Sequence, residues 1–169
     1  NIVAMEILQA DGKFSCEIAF PGAKLWSPEE PNLYACRVTF GEDVQEETFG
    51  IRMVSCTPEN GFQINGKRVL LKGGCIHHDN GLLGACAYEF AERRKVRILL
   101  DAGYNAIRSA HNPCSKALLR ACDEMGMLVM DEYIDGWYIH KTKYDYADEI
   151  LDNYSCLLYT SPSPRDGLL

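Results

Sequence analysis

The 169-residue sequence has no apolar run near the ~20 residues that a membrane-spanning helix needs. It has little positive charge. Lysine and arginine number 17 against 24 aspartates and glutamates, a formal net charge of -7. That balance argues against a nucleic-acid or anionic-membrane partner, since both want clustered cations. No Gly-rich phosphate loop follows a strand-like run, which speaks against a nucleotide site. The eight cysteines, at 16, 36, 56, 75, 86, 114, 122 and 156, form no CxxC pair, so a structural zinc site or a thioredoxin-like motif is not indicated. Without a disulfide-like framework a reducing compartment is favoured, the cytoplasm first. Cys36 and Cys122 lie inside apolar runs and read as small buried hydrophobes. There is neither an initiator Met nor a signal peptide, and the natural N-terminus is expected upstream of Asn1.

Hydrophobic residues make up 47%, enough to bury a core. They are patterned in zones. Residues 1 to 57 read as strands: 13–20, 33–40 and 47–54 alternate apolar and polar with period two, punctuated by Asp11-Gly12, Pro21-Gly22 and Gly41-Glu42-Asp43. This suits the end of an antiparallel sandwich. Pro58-Glu59-Asn60-Gly61 and Asn65-Gly66 then predict a hinge-like hairpin.

From residue 69 the period changes. Val69–Gly73 predicts a short strand and 88–102 a helix, with Val96, Leu99 and Leu100 at helical spacing and Gly103 to stop it. Tyr104–Arg108 is the next strand. Ser115 can cap a helix running to Met125, with Leu118, Leu119 and Cys122 on one face and Gly126 beyond it. Met127–Asp131 is a third strand. Strand, helix, strand, helix, strand is the pattern of a parallel sheet with right-handed crossovers. Residues 155–169 hold Ser-Pro-Ser-Pro without amphipathic period and read as a non-native tail similar to translated adapter sequence, the alternative being a natural flexible tail.

In parallel barrels chemistry gathers at the carboxyl ends of the strands. Here the first tip carries His77-His78-Asp79, the second Arg108 with His111-Asn112-Pro113, the third Asp131-Glu132-Tyr133. Each has a plainer reading. Adjacent histidines point opposite ways in extended chain, so only one faces a pocket. Asp79 beside Asn80-Gly81 suits a turn. Arg108 and Asp131 could form an internal ion pair, His111 could start the helix, Glu132 could be a solvated strand end, and His140 could be simply exposed. A metal site would want two histidines one residue apart, and the His77-His78 doublet lacks that spacing.

The run Asn105-Ala106-Ile107-Arg108-Ser109-Ala110-His111-Asn112-Pro113, with Leu118, Cys122-Asp123-Glu124-Met125-Gly126-Met127 and Asp131-Glu132, resembles the signature of glycoside hydrolase family 2, which holds β-galactosidases, β-glucuronidases and β-mannosidases. Leu25-Trp26-Ser27-Pro28-Glu29 with Pro31-Asn32-Leu33-Tyr34 is similar to that family's immunoglobulin-like domain. Phe49-Gly50-Ile51-Arg52 and Phe62-Gln63-Ile64-Asn65-Gly66-Lys67 resemble its junction into the barrel. The resemblance, which covers about residues 24 to 150, implies a partial immunoglobulin-like β-sandwich at 1–57 and the first three βα units of a TIM (β/α)8 barrel at 58–154, with 155–169 set apart as the tail.

The resemblance also implies retaining hydrolysis of a β-linked sugar, with two carboxyl groups roughly 5 Å apart. In the family the acid/base Glu follows an Asn after the fourth barrel strand and the nucleophile comes from the seventh. No Asn-Glu dipeptide occurs here, so no catalytic residue is assigned. What remains is substrate-binding rim: His78, Asp79, Arg108, His111, Asn112, Asp131, Glu132 and Trp137, the last a candidate to stack on a sugar face. Some β-galactosidases hold magnesium just after the third strand. The stretch Tyr133-Ile134-Asp135-Gly136-Trp137-Tyr138 lacks that arrangement, so no metal and no cofactor is expected. It looks like a bacterial branch in which Asp-x-Trp is followed by Tyr144-Asp145-Tyr146. The expected partner is a β-linked oligosaccharide or glycoside, with a homo-oligomeric parent allowed. The alternatives are a truncated carbohydrate-binding protein and a barrel metallohydrolase.

Overall fold

The computed structural model describes residues 4–7, 16–136, 139–150 and 152–153. β1 (Tyr34–Phe40) and β2 (Asp43–Phe49) form an antiparallel hairpin in the register Tyr34↔Phe49 to Phe40↔Asp43. Val38, Phe40 and Val44 are exposed, so among the described residues no second sheet covers this pair. Cys36, expected to be buried, is exposed for the same reason. Of the strand expected at 13–20, residues 13–15 lie outside the described residues and 16–20 carry no strand.

The strand expected at 47–54 is divided. β2 ends at Phe49 and β3 (Val54–Thr57) begins after a gap. Trp26 is the cause. Its backbone N–H donates to the Ile51 carbonyl at 2.7 Å, which takes the chain out of the ladder, and a Cβ on Gly50 would lie 2.8 Å from the Trp26 side chain. β3 pairs antiparallel with β4 (Gly61–Ile64), and β4 with β5 (Lys67–Arg68). Both expected turns are present, and Asn65 and Gly66 have φ of 51° and 75°, the left-handed pair of a type I′ turn.

The parallel sheet has the order β6-β7-β8: β6 is Gly73–Ile76, β7 Ala106–Ser109 and β8 Leu128–Asp131. α1 (Glu89–Asp101) joins β6 to β7 and α2 (Lys116–Met125) joins β7 to β8. The first strand thus lies later than Val69–Gly73. Residues 69–72 are engaged elsewhere: Val69 N–H bonds the Phe62 carbonyl, and the Asn105 side-chain amide takes both Lys72 N–H and Leu70 C=O.

Both helices are punctuated as their sequences suggest. Glu89 and Glu92 favour the positive end of α1. Ser115 Oγ accepts from Leu118 N–H at 3.1 Å. Gly126 ends α2 at φ 81°, and its N–H bonds the Cys122 carbonyl. Val96 of α1 and Leu118, Ala121 and Cys122 of α2 pack on Ile107 of β7, with Val129 and Ile76 beside them. That is the helix-facing side of the sheet.

The other side is sealed at its amino end. Trp26, Ile64 and Leu128 form a second core with Phe62, Val69 and Ala106 around it. Trp26 is 2% exposed and also donates its Nε1–H to the Asp123 carbonyl at 2.8 Å. The Asn65 side-chain amide binds the Trp26 carbonyl, and Arg52 lies 5.1 Å from the ring centroid. One indole therefore joins the sandwich end, the hairpin and the barrel start.

Candidate functional site

Strand register sets what reaches the carboxyl rim. Cys75, Arg108 and Met130 lie side by side across the sheet. Their parity is that of Ala106 and Leu128, which face away from the helices. Ile76, Ser109 and Asp131 form the next row, on the helix side.

Arg108 reaches over the strand tips to Glu132, the residue just past β8. Arg108 Nε donates to Glu132 Oε1 at 2.6 Å, and a second guanidinium nitrogen pairs with the same oxygen. The remaining Glu132 oxygen, Oε2, lies 3.1 Å from His111 Nδ1. The Glu132 side chain is only 14% exposed, so it is not a solvated strand end. The hydrogen bond with Glu132, and then one to Cys75, raise the Arg108 pKa above its ordinary value. The ion pair foreseen between Arg108 and Asp131 does not form. Asp131 is on the opposite face, where Oδ1 accepts from Cys114 N–H at 2.9 Å. Its Oδ2 is buried with no hydrogen-bond partner among the described residues. Burial pushes the neighbouring Cys114 thiol up to about 12.

The histidine doublet divides as adjacent residues must. His78 Nε2 meets the Pro113 carbonyl at 3.0 Å, which ties the first strand tip to the second. His77 packs its ring edge-to-face on His111, with centroids 5.7 Å apart. Sequence reasoning chose His78 for the site and passed over His77. Adjacency says that the two diverge but not which one joins His111, and only the register of β6 on β7 decides it. Asp79 takes the turn role, its Oδ1 accepting from Gly81 N–H at 2.8 Å. Asn112 is exposed, and its carbonyl accepts from Ser109 Oγ. Trp137 lies outside the described residues.

Behind the tips, Glu92 of α1 is 3% exposed. Asn80 donates to its Oε1 at 3.0 Å and also to the Cys86 carbonyl, which fixes the loop after β6. Lys95 Nζ is 3.1 Å from Oε2 without hydrogen-bond alignment, so charge rather than a formed bond offsets the burial. Past β8, Asp135 lies 3.6 Å from His111 Nδ1 and pairs with Lys141. His140 is half-exposed but bonded to Asp145 and Asp148.

Residues 57–152 match the family described as glycosyl hydrolases family 2, TIM barrel domain, and residues 3–52 match glycosyl hydrolases family 2. The chain belongs to glycoside hydrolase family 2. The fold is therefore the end of the family's immunoglobulin-like sandwich followed by the start of its TIM barrel. A solved family 2 member from Bacteroides cellulosilyticus is 46% identical, with a TM-score of 0.76 over 85% of this chain and 19% of that one. A β-galactosidase of Bacteroides ovatus is 38% identical over 79% of this chain and 16% of its own length. A β-glucuronidase of Streptococcus agalactiae is 37% identical over 64% of this chain and 19% of its own length. The chain thus spans less than a fifth of each of these relatives.

Proposed function

We propose that this chain is one sector of a glycosidase that hydrolyses O-glycosyl bonds of β-galactoside-like sugars with retention, and that it supplies part of the glycone-binding rim. The observation that carries the reading is the linked set Arg108–Glu132–His111, with His77 against it, at the carboxyl ends of parallel strands in a family 2 chain. Glu132 accepts from His111 Nδ1–H, so in the neutral ring Nε2 carries the lone pair and can accept a sugar hydroxyl. His77, Arg108, His111 and Glu132 are assigned to the sugar side. His78, Asp79, Asn112 and Asp131 are assigned to holding the tips in place. Trp137 remains a candidate for stacking.

A neutral sugar is favoured by the state of the cations. Arg108 is engaged by Glu132 and Lys141 by Asp135, so these groups suit hydroxyls better than a uronate carboxylate. Neither carboxyl group of a retaining pair is assigned to this chain, which contains no Asn-Glu dipeptide. We put the division between sandwich and barrel after residue 57, between β3 and β4, a reading supported by Phe62 and Ile64 of β4, which pack in the core that caps the sheet.

The test is turnover of 4-nitrophenyl β-galactoside. The 169-residue chain is expected to be inactive, and an enzyme made from the extended reading frame active. In that enzyme His111→Ala should lower kcat/KM about 10- to 100-fold, the effect of one or two hydrogen bonds to a polar substrate. Hydrolysis by the chain alone that disappears with His111→Ala would overturn the assignment of a partial site. An extended enzyme that only binds glycosides would make this a carbohydrate-binding protein.

A further inference from the structure

Beyond the rim itself, the stretch after β8 carries a second acidic residue directed at His111. Asp135 Oδ1 is 3.6 Å from His111 Nδ1, outside direct hydrogen-bond range, while the single Nδ1 proton is taken by Glu132 at 3.1 Å. Asp135 is held there. Gly136, at φ 82°, turns the chain, Ile139 N–H closes the turn on the Gly136 carbonyl, and Lys141 reaches back to pair with Asp135. Lys141 is itself pinned by its backbone. Its N–H donates to Asp145 Oδ2 at 2.6 Å, beside Thr142 N–H on the same oxygen, and Ala147 N–H takes Oδ1. Asp145 thus anchors Lys141, Lys141 anchors Asp135, and Asp135 adds a negative charge beside the ring that Glu132 orients. Asp135 and Asp145, the acidic residues of the Asp-x-Trp and Tyr-Asp-Tyr stretches, gain a physical role from this geometry.

We propose that Asp135 is a positioning residue for His111, kept in place by Lys141 and the Asp145-anchored strap that follows β8. This deepens the glycone-rim reading and rests on it for its consequence in sugar binding. A carboxylate on the Nδ1 side of the ring restrains it from swinging out of the rim. The lysine prevents Asp135 from turning to solvent. The Asp135 carboxyl is held below its ordinary range by Lys141 first and by His111 as well.

Diethyl pyrocarbonate labelling of the 169-residue chain, mapped by mass spectrometry, reads each histidine separately. Asp135→Asn should speed His111 labelling about two- to fivefold, the range of a half-exposed ionic contact, with His78 unchanged. Lys141→Met should give a smaller increase in the same direction, and Asp135→Glu should return the rate toward that of the parent chain. Equal His111 rates in the parent chain and Asp135→Asn would overturn the proposal. If Asp135→Asn speeds every histidine, it has unfolded. Lys141→Met then decides, an unchanged His111 rate overturning the proposal. A thio-β-galactoside is added to the parent chain as a separate arm. Protection of His111 supports the rim reading. Absence of protection with the Asp135 effect intact would sink that reading and leave the positioning role standing.

Discussion

Glu132 is the residue on which the rim turns. It accepts from Arg108 through one oxygen and from His111 through the other. Glutamine has the same shape but no charge and one accepting end, so with its oxygen on Arg108 its amide NH2 faces His111 Nδ1, which can accept only by moving the ring proton to Nε2. Arg108 and His111 are each about two-fifths exposed, which lets water replace much of the loss. A stability cost of about 1 kcal/mol is expected, read from the midpoint of urea unfolding. An unchanged midpoint together with unchanged His111 labelling would show that the three residues are not coupled. At this scale the sequence was informative about residue types and silent about partners. Arg108, His111 and Glu132 were all legible as candidates. That Arg108 pairs with Glu132 and not Asp131 follows from side-chain parity, which a one-residue shift of strand register would reverse.

Helix α2 is the element with the most local punctuation. Gly126 combines two demands. It adopts φ 81°, and a Cβ there would lie 2.1 Å from the Pro28 carbonyl oxygen. The left-handed conformation alone costs a non-glycine residue about 1–2 kcal/mol. Gly126→Ala should therefore destabilise by at least about 2 kcal/mol once the clash is added, clearly more than the roughly 1 kcal/mol expected for Ser115→Ala. Urea titration of both variants compares them directly.

The strap after β8 responds to pH instead. Asp145, and then Asp148, raise the His140 pKa above its ordinary 6.5, so His140 stabilises the folded strap below that value and ceases to as pH rises through the raised one. Backbone N–H groups, that of Thr142 first, hold the Asp145 carboxyl well below its ordinary 3.8. Its contribution is present above 3.8 and lost as pH falls through the depressed value. Hydrogen exchange of residues 139–150, corrected for intrinsic rates, should be slowest between about pH 4 and 6.5 and should lose its alkaline limb in His140→Gln. Identical profiles for the two chains would count against this account.

At the scale of the whole molecule, Trp26 ties three segments into one folded unit. It is 97 residues from its hydrogen-bond partner Asp123 and 39 from Asn65. Emptying that position removes the centre of the core that seals the sheet's amino end. Trp26→Ala should cost about 3–5 kcal/mol. Trp26→Phe should cost less, losing chiefly the indole N–H bond. Circular dichroism during urea unfolding distinguishes them, and equal costs would mean that the hydrogen bond rather than the packing dominates. Among the described residues β6 and β8 are the edge strands of the parallel sheet, in keeping with the start of a family 2 barrel.

Local chemistry determined what the sequence could reveal alone. The order of strands and helices, the Ser115 and Gly126 helix ends, the Asn65-Gly66 turn and the polar strand tips all depend on neighbours within a few residues, and all were readable. Only tertiary structure decided the rest. Trp26 divided the strand expected at 47–54, and Asn105 held residues 70–72 out of the first parallel strand. Register placed His77 rather than His78 beside His111. Asp135 reached His111 only because a turn and a lysine brought it back. Each of these outcomes depends on a partner distant in sequence or on the parity of a strand, and neither is written in local periodicity.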